Sequence, residues 1–197
     1  MIQQQLPIKS FPSEVAFEKW LKANHAKSSG LWLRFFKKGG RAENKKALTP
    51  LTHKSALDVA LCYGWIDGQL KKFDDISYLH KFTPRGVKSI WSKVNREHVE
   101  RLEKEGRMQP AGLAAVTAAK NDGRWDMAYD APSKMEIPAD FLRALVKDKK
   151  AKDFFDTLNR ANQYSITWRL QTAKKPETRQ KRMDTIIAML GRKEKFH

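Results

Sequence analysis

The hydrophobic pattern of the chain changes its period near residue 89, and this change limits the fold more than any other feature. Before it, residues 31–36, 65–73 and 76–82 are short apolar or alternating segments of the kind that form strands. After it, apolar residues recur only at helical spacing. Strands grouped early and helices grouped late are typical of α+β proteins rather than of wound parallel sheets. We therefore predict an α+β fold.

A β-hairpin is predicted at residues 65–82, with Asp74 and Asp75 at its tip, because adjacent acidic residues favour turns. The strand at residues 31–37 joins this hairpin, which gives a small antiparallel sheet in the N-terminal half of the chain. The segment 37–50, which contains two glycines and several lysines, is a predicted loop and the best candidate for a mobile flap.

Helical segments flank the predicted sheet and fill the C-terminal half. Their ends carry residues that favour N-caps, first turns and helix stops. We expect a mixed α+β core at residues 1–130 and a basic helical region at residues 131–197, packed together as one domain. Helices are predicted at residues 14–23, 52–63, 89–105 and 110–120, and around Phe141, Phe154, Ile166 and Met183.

Charge is the largest departure from an average composition. The chain has 39 Lys and Arg against 22 Asp and Glu, a formal net charge of +17. Residues 141–197 contain 15 basic and 6 acidic side chains, so less than a third of the chain carries +9 of this excess. Such a field favours a polyanion, either nucleic acid or an anionic lipid surface, and it also promotes solubility. The candidate anion-binding surface consists of Lys174, Lys175, Arg179, Lys181 and Arg182.

The single cysteine and the lack of long apolar runs indicate a cytoplasmic protein. Cys62 has no partner for an intramolecular disulfide, and its apolar neighbours predict a buried, hydrophobic role. No apolar run approaches the length of a membrane-spanning helix. The first residues also lack the basic and apolar regions of a signal peptide.

The motifs of common catalytic and cofactor sites are missing from the sequence. There is no Gly-rich phosphate loop, no nucleophile elbow and no Walker-type lysine motif. The five histidines are scattered singly along the chain and there is no second cysteine, so neither a metal site nor a cofactor is predicted. Whether the chain is an enzyme stays open, although the lack of a catalytic motif argues against it.

A group of polar and aromatic residues between positions 65 and 125 is the candidate ligand-binding site. One interpretation places these residues around a single pocket, in which a guanidinium binds an anion and indole rings supply stacking area. In the other interpretation, which we call scaffolding, these residues only stabilise the fold: Asp67 pairs with Arg85, and the tryptophans lie in the core. The candidates are Trp65, Asp67, Arg85, Trp91, Ser92, Asn95, Arg124 and Trp125.

Five segments stand out in order along the chain and read ALCYGWIDGQ, FTPRGVKSIWSKVN, EGRMQPAGLAAV, DGRW and QTAKKPETRQKRMDTIIAML. With these segments, residues 10–192 resemble the YdeI/OmpD-associated family, also called bacteriocin-protection proteins. The resemblance implies an α+β fold with a helical C-terminal part. It also implies protection against membrane-active or bacteriocin-like peptides and association with an outer-membrane porin, but no catalytic residues.

Three hypotheses of function follow from these observations. The resemblance favours a non-enzymatic protein that protects the cell against bacteriocins or cationic antimicrobial peptides. The net charge and the aromatic content favour non-specific nucleic-acid binding, although no RNA-binding signature or helix-turn-helix supports it. The polar group around Asp67 and Arg85 favours a protein that binds, or acts on, a small anionic ligand.

Overall fold

The computed structural model describes residues 5–37, 51–131 and 134–195. The predicted flap falls outside the described residues, apart from Lys37. The strands of the described part are β1 (Ile8–Lys9), β2 (Leu31–Phe36), β3 (Trp65–Lys72) and β4 (Ser77–Pro84). The helices of the described part are α1 (Glu14–Asn24), α2 (His53–Cys62), α3 (Lys93–Lys104), α4 (Pro110–Asn121), α5 (Ala139–Leu145), α6 (Lys149–Asp156), α7 (Arg160–Gln171) and α8 (Pro176–Gly191).

The strands form one mixed sheet in the order β1-β2-β4-β3. β4 pairs antiparallel with both β2 and β3, so the predicted hairpin and its partner strand are confirmed. β1 pairs parallel with β2 and was not predicted, because two residues are too few to show an alternating pattern. The α+β class is confirmed, but the sheet is mixed and not purely antiparallel.

The first helix after the hairpin begins later than the sequence predicts. Residues 89–92 precede α3, which starts at Lys93. The backbone of this segment pairs instead with Tyr129, whose amide donates to the carbonyl of Trp91 and whose carbonyl accepts from the amide of Lys93. Ser92 and Tyr129 thus form an isolated parallel β-bridge. The predicted start of this helix at residue 89 is therefore wrong, and Ser92 lies before α3.

The chain divides into two compact units. The first contains the described residues up to Ser89 and residues 95–126, and it holds the whole sheet. The second contains residues 90–94 and the described residues from Met127 onward. Among the helices that the structure describes, none has both the length and the apolar character needed to cross a bilayer.

The core of the first unit lies between the sheet and its helices. Phe17 of α1 is fully buried and its ring meets the edge of Phe82 from β4, with 5.9 Å between centroids. α2 is buried from Ala56 to Cys62, and α4 packs against its end. At Gly112 of α4, a Cβ atom would lie 2.3 Å from the carbonyl oxygen of Cys62, so only glycine permits this approach.

The second unit has its own core, built by the apolar faces of α5 to α8. Its short helices are stabilised at their starts by capping side chains, since Asp148 accepts from the Ala151 amide at 3.0 Å and Asn159 accepts from the Asn162 amide at 3.0 Å. Their buried side chains are Phe141, Leu145, Ala151, Phe155, Leu158, Ile166, Leu170, Met183, Ile186 and Leu190.

Candidate functional site

Three side chains with metal-ligating or acid–base chemistry meet in the first unit. His53 is the first residue of α2, directly after the N-cap Thr52. Asp67 lies on β3 and His80 on the neighbouring strand β4. The register of these strands shifts between Asp67 and Leu70, so the carbonyl of the intervening Gly68 comes within 3.1 Å of Nε2 of His80. We call His53, Asp67 and His80 the His–Asp–His cluster.

The distances within the His–Asp–His cluster are short. Nε2 of His53 lies 2.9 Å from Oδ2 of Asp67, and Nε2 of His80 lies 3.5 Å from the same oxygen. The two imidazole rings stack at 12° with their centroids 4.4 Å apart. One ligand atom from each residue lies within 4.8 Å of the others, so the three can approach a common point.

The surroundings of the cluster keep Asp67 ionised and His80 neutral. Burial acts to raise the pKa of Asp67, but the hydrogen bond and charge of His53, helped by His80, hold that pKa below its usual value. Burial, followed by repulsion from His53, lowers the pKa of His80, and attraction to Asp67 only partly opposes this. At neutral pH the cluster thus presents a carboxylate next to an uncharged, buried imidazole.

A concavity of about 620 Å³ opens beside the cluster. His53 and His80 form part of its wall. Lys37 and Lys72 also lie on the wall, where the ammonium group of Lys37 donates to the backbone carbonyl of Asp75 and that of Lys72 donates to its carboxylate. A ligand that enters the concavity therefore meets imidazole rings and positive charge. Its wall consists of Lys37, His53, Leu70, Lys72, Ser77, Tyr78 and His80.

Asp67 and Trp65, two of the candidates from the sequence, have different surroundings. Asp67 contacts the two histidines of the cluster, where the scaffolding interpretation placed Arg85. The amide of Arg85, at the residue after β4, donates to the carbonyl of Gly64. Trp65 is buried in the core, and its indole N–H donates to the carbonyl of His25 at 3.1 Å. Its role is packing.

Arg124 and Trp125 lie just after α4, where each is held by nearby groups. Arg124 is buried, and its Nε contacts both carboxylate oxygens of Asp122 while Nη1 donates to the carbonyl of Ser89. The guanidinium of Arg96 lies 5.1 Å from the ring centroid of Trp125 and also donates to its carbonyl. These contacts hold the turn after α4 in place, so both residues have a structural role.

The last three sequence candidates lie around the start of α3. Trp91 and Ser92 are buried and belong to the second unit, where they take part in the backbone pairing with Tyr129. Asn95 is half-buried and belongs to the first unit. A single pocket for all eight candidates stays a prediction.

The basic residues near the C-terminus divide into two groups. Lys174, Lys175 and Lys181 are exposed, and no salt bridge within the described residues includes them. Arg179 instead binds Asp140, with Nη2 3.0 Å from Oδ1 and Nη1 on Oδ2. Because this pairing neutralises its charge, Arg179 contributes little to an anion-binding surface. We call Lys174, Lys175, Lys181 and Arg182 the α8 basic face.

A cleft of about 220 Å³ adjoins the α8 basic face in the second unit. Arg182 reaches across it and donates from Nη1 to the carbonyl of Arg169 on α7 at 2.8 Å. Arg169 also lines this cleft, but the exposed surface of the cleft is mostly apolar, so the cleft itself does not suit a phosphate or carboxylate. The wall consists of Arg169, Thr178, Lys181, Arg182, Thr185 and Ile186.

Comparison with known families gives a separate result for each part of the chain. Residues 9–115 match the model described as Domain of unknown function (DUF8412). The chain belongs to this DUF8412 family. The match covers the whole sheet except Ile8 and all three residues of the His–Asp–His cluster. The family description supplies no activity that could be carried over to the cluster.

Residues 134–193 match a second family model, described as Bacteriocin-protection, YdeI or OmpD-Associated. The resemblance predicted from the sequence is thus confirmed for a part of the chain, which includes α5 to α8 and the α8 basic face. The first three motifs of that resemblance lie in the region that matches the DUF8412 model or end one residue beyond it, and DGRW at residues 122–125 lies between the two matched regions. No curated protein and no solved structure is similar enough to this DUF8412 protein to count as a match.

Two residues of the candidate site, His53 and His80, were missed by sequence reasoning. His53 and His80 each look isolated in the sequence, since neither has a second potential ligand at metal-binding spacing. Their proximity depends on the pairing of β3 with β4 and on the position of α2 over that hairpin. The one available signal was the placement of His80 among apolar residues of a strand, which is costly unless the ring has a role.

Proposed function

We propose that this protein protects cells against bacteriocins and cationic antimicrobial peptides, that it acts in the cytoplasm, and that it does so without catalysing a reaction. The observation that carries the proposal is the match of residues 134–193 to the bacteriocin-protection family model. The second name in that family description suggests an outer-membrane porin as a partner for this role.

The net charge limits how such protection can work. A chain of formal charge +17 repels cationic peptides, so direct capture of the peptide is disfavoured. The protein and the peptide instead share a preference for polyanions. We therefore propose that the protein occupies anionic targets inside the cell and so reduces the binding of peptides that enter it.

The α8 basic face supports this mode of action. Its three lysines are exposed, and Lys174 and Lys175 directly precede the N-terminal end of α8, where helix amides favour anions. Glu177 in the first turn of α8 reduces this effect but leaves the local excess positive. The face lies in the part of the chain that matches the bacteriocin-protection model.

Peptide sensitivity of a strain that lacks the protein tests the proposal. Strains complemented with the wild type, with a Lys174→Gln/Lys175→Gln/Lys181→Gln variant, or with an empty vector are compared by minimum inhibitory concentration of a cationic peptide. The wild type should restore resistance and the triple variant should not. Unchanged sensitivity after deletion would overturn the protective role.

A control variant separates the α8 basic face from net charge alone. Lys19, Lys22 and Lys27 are also exposed lysines, and they lie on or near α1 in the first unit. Substituting these three by glutamine removes the same total charge. This variant should protect as well as the wild type, and an equal loss in both variants would show that the face has no special role. Fractionation of the complemented cells tests the cytoplasmic location.

Non-specific nucleic-acid binding is the second candidate function, favoured by the exposed lysines of the α8 basic face. Affinity for a short DNA duplex should fall steeply with salt, with each phosphate contact contributing about 0.9 to the slope of log K against log salt. The triple lysine variant should show a smaller slope than the wild type, and absent binding at low salt would exclude this function.

A further inference from the structure

We propose that His53, Asp67 and His80 form a binding site for a divalent transition-metal ion such as zinc or cobalt. The site lies in the first unit and is independent of the function proposed above. Its donor set of two imidazoles and one carboxylate is one that Zn²⁺, Co²⁺ and Ni²⁺ accept, whereas Mg²⁺ and Ca²⁺ prefer oxygen ligands alone.

The spacing of the donor atoms suits a metal ion. Bonds of 2.0–2.2 Å in tetrahedral geometry place ligand atoms roughly 3.4 Å apart. Nε2 of His53 and Nε2 of His80 lie 2.9 Å and 3.5 Å from Oδ2 of Asp67, and the three ligand atoms all lie within 4.8 Å of one another. Small side-chain rotations therefore bring all three donors to a common ion without movement of the backbone.

The surroundings of His53 and His80 hold their rings in place. The ring of His53 lies between apolar side chains, with centroids 6.1 Å from Phe35 and 6.2 Å from Phe82. His80 is buried, and its Nε2, the nitrogen nearest Asp67, also lies 3.1 Å from the carbonyl of Gly68, a contact that an ion at Nε2 would replace.

An ion held by three protein ligands keeps a coordination position for water or another small molecule. His53 and His80 both line the concavity of about 620 Å³, so this position faces solvent. Structural zinc sites, by contrast, are closed by a fourth protein ligand.

Titration of the full chain with Co²⁺ and Zn²⁺ tests the proposal. The protein is prepared without an affinity tag and treated with a chelator, because histidine tags bind the same ions. Isothermal titration should give one Zn²⁺ per chain, and Co²⁺ should produce visible d–d absorption that Zn²⁺ removes. Excess Mg²⁺ should not compete. No heat with Zn²⁺ and no Co²⁺ absorption at pH 7.5 would overturn the proposal.

Substitutions at the cluster identify the ligands. Asp67→Asn keeps the shape of the side chain and removes its charge, and His53→Gln alters a ring that is about one-third exposed, which limits the risk of misfolding. Each should weaken Zn²⁺ binding by more than about tenfold, because loss of a group that only supports a ligand already costs about that much. Circular dichroism confirms that the variants fold. Equal affinity in both folded variants and the wild type would also overturn the proposal.

A second His–Asp pair in the first unit supplies the matched control. Nδ1 of His98 lies 2.6 Å from Oδ1 of Asp58, but Arg101 occupies the other carboxylate oxygen at 2.6 Å. The guanidinium charge at this place repels a metal ion. His98→Gln should therefore leave Zn²⁺ binding unchanged, and loss of binding in this variant would place the metal elsewhere.

Discussion

The guanidinium of Arg179 on α8 binds both carboxylate oxygens of Asp140 on α5. This pair lies within the second unit, where it joins α5 to α8. Because the carboxylate neutralises Arg179, the anion-binding surface predicted from the sequence loses one of its five cations. Asp140, which lies outside α8, thus lowers the positive charge that α8 can offer to a polyanion.

Releasing Arg179 should strengthen polyanion binding. Asp140→Asn removes the negative charge that holds the guanidinium, so Arg179 becomes available to a phosphate. We expect tighter binding of a DNA duplex and a salt slope larger by about 0.9, the contribution of one added contact. The pair is partly exposed, so its loss should destabilise the protein by less than about 1 kcal/mol. Fluorescence anisotropy at several salt concentrations measures both quantities.

Asp184→Asn is the control for this substitution. Asp184 is exposed on α8 and accepts from the side-chain amide of Gln180, so its removal changes the net charge equally but releases no arginine. A salt slope that rises as much in this variant as in Asp140→Asn would show that net charge, and not Arg179, determines the affinity.

The close approach of α2 and α4 should make Gly112 intolerant of any side chain. Gly112→Ala places a Cβ atom 2.3 Å from the carbonyl oxygen of Cys62, so one helix must move. We expect a loss of about 1–3 kcal/mol in the free energy of unfolding, as for other overpacked cores. Chemical denaturation measures this loss. A Cβ atom at Gly86 would meet no atom within 4 Å, so Gly86→Ala should be neutral or slightly stabilising.

Cys62 should be almost unreactive in the folded protein. Its side chain is buried, and burial raises the pKa of its thiol to about 11. At pH 8 roughly one thiol in a thousand is then ionised, and the thiolate is the reactive form. Reaction with a disulfide reagent should be slower than in the unfolded chain by at least about a hundredfold. Similar rates in native and denaturing buffer would mean that the thiol is accessible.

Local signals in the sequence predict the elements that depend on local chemistry. α8 begins at Pro176, because proline suits the first helical turn, and it ends at Gly191, as the sequence predicts. Its buried residues Met183, Ile186 and Leu190 recur at helical spacing. The hairpin is equally local, since its strands are joined by a short acidic turn in which Asp74 accepts from the Ile76 amide.

Features that depend on distant partners could not be predicted. The late start of α3 follows from the pairing of Ser92 with Tyr129, and nothing in the sequence joins these two positions. The neutralisation of Arg179 likewise needs the position of Asp140. The His–Asp–His cluster requires the register of the hairpin and its shift after Asp67, and a slip of one residue would turn His80 to the other face of the sheet.

The low pKa values in the His–Asp–His cluster should make the protein less stable in mild acid. The pKa of His80 is lower in the folded chain than the value of about 6.5 of a free imidazole, so the unfolded chain binds its proton more readily. The resulting stability is fully present above about pH 6.5 and is lost as the pH falls through the folded pKa. Asp67, whose pKa is also lowered, acts in the same direction below about pH 3.9.

Thermal melting of the metal-free protein between pH 8 and pH 5 measures this dependence. The melting temperature of the wild type should fall below about pH 6.5, and His80→Gln should reduce that fall because the titrating ring is absent. An equally steep fall in the His80 variant would mean that another group governs the acid sensitivity, since the buried imidazole would then contribute nothing to it.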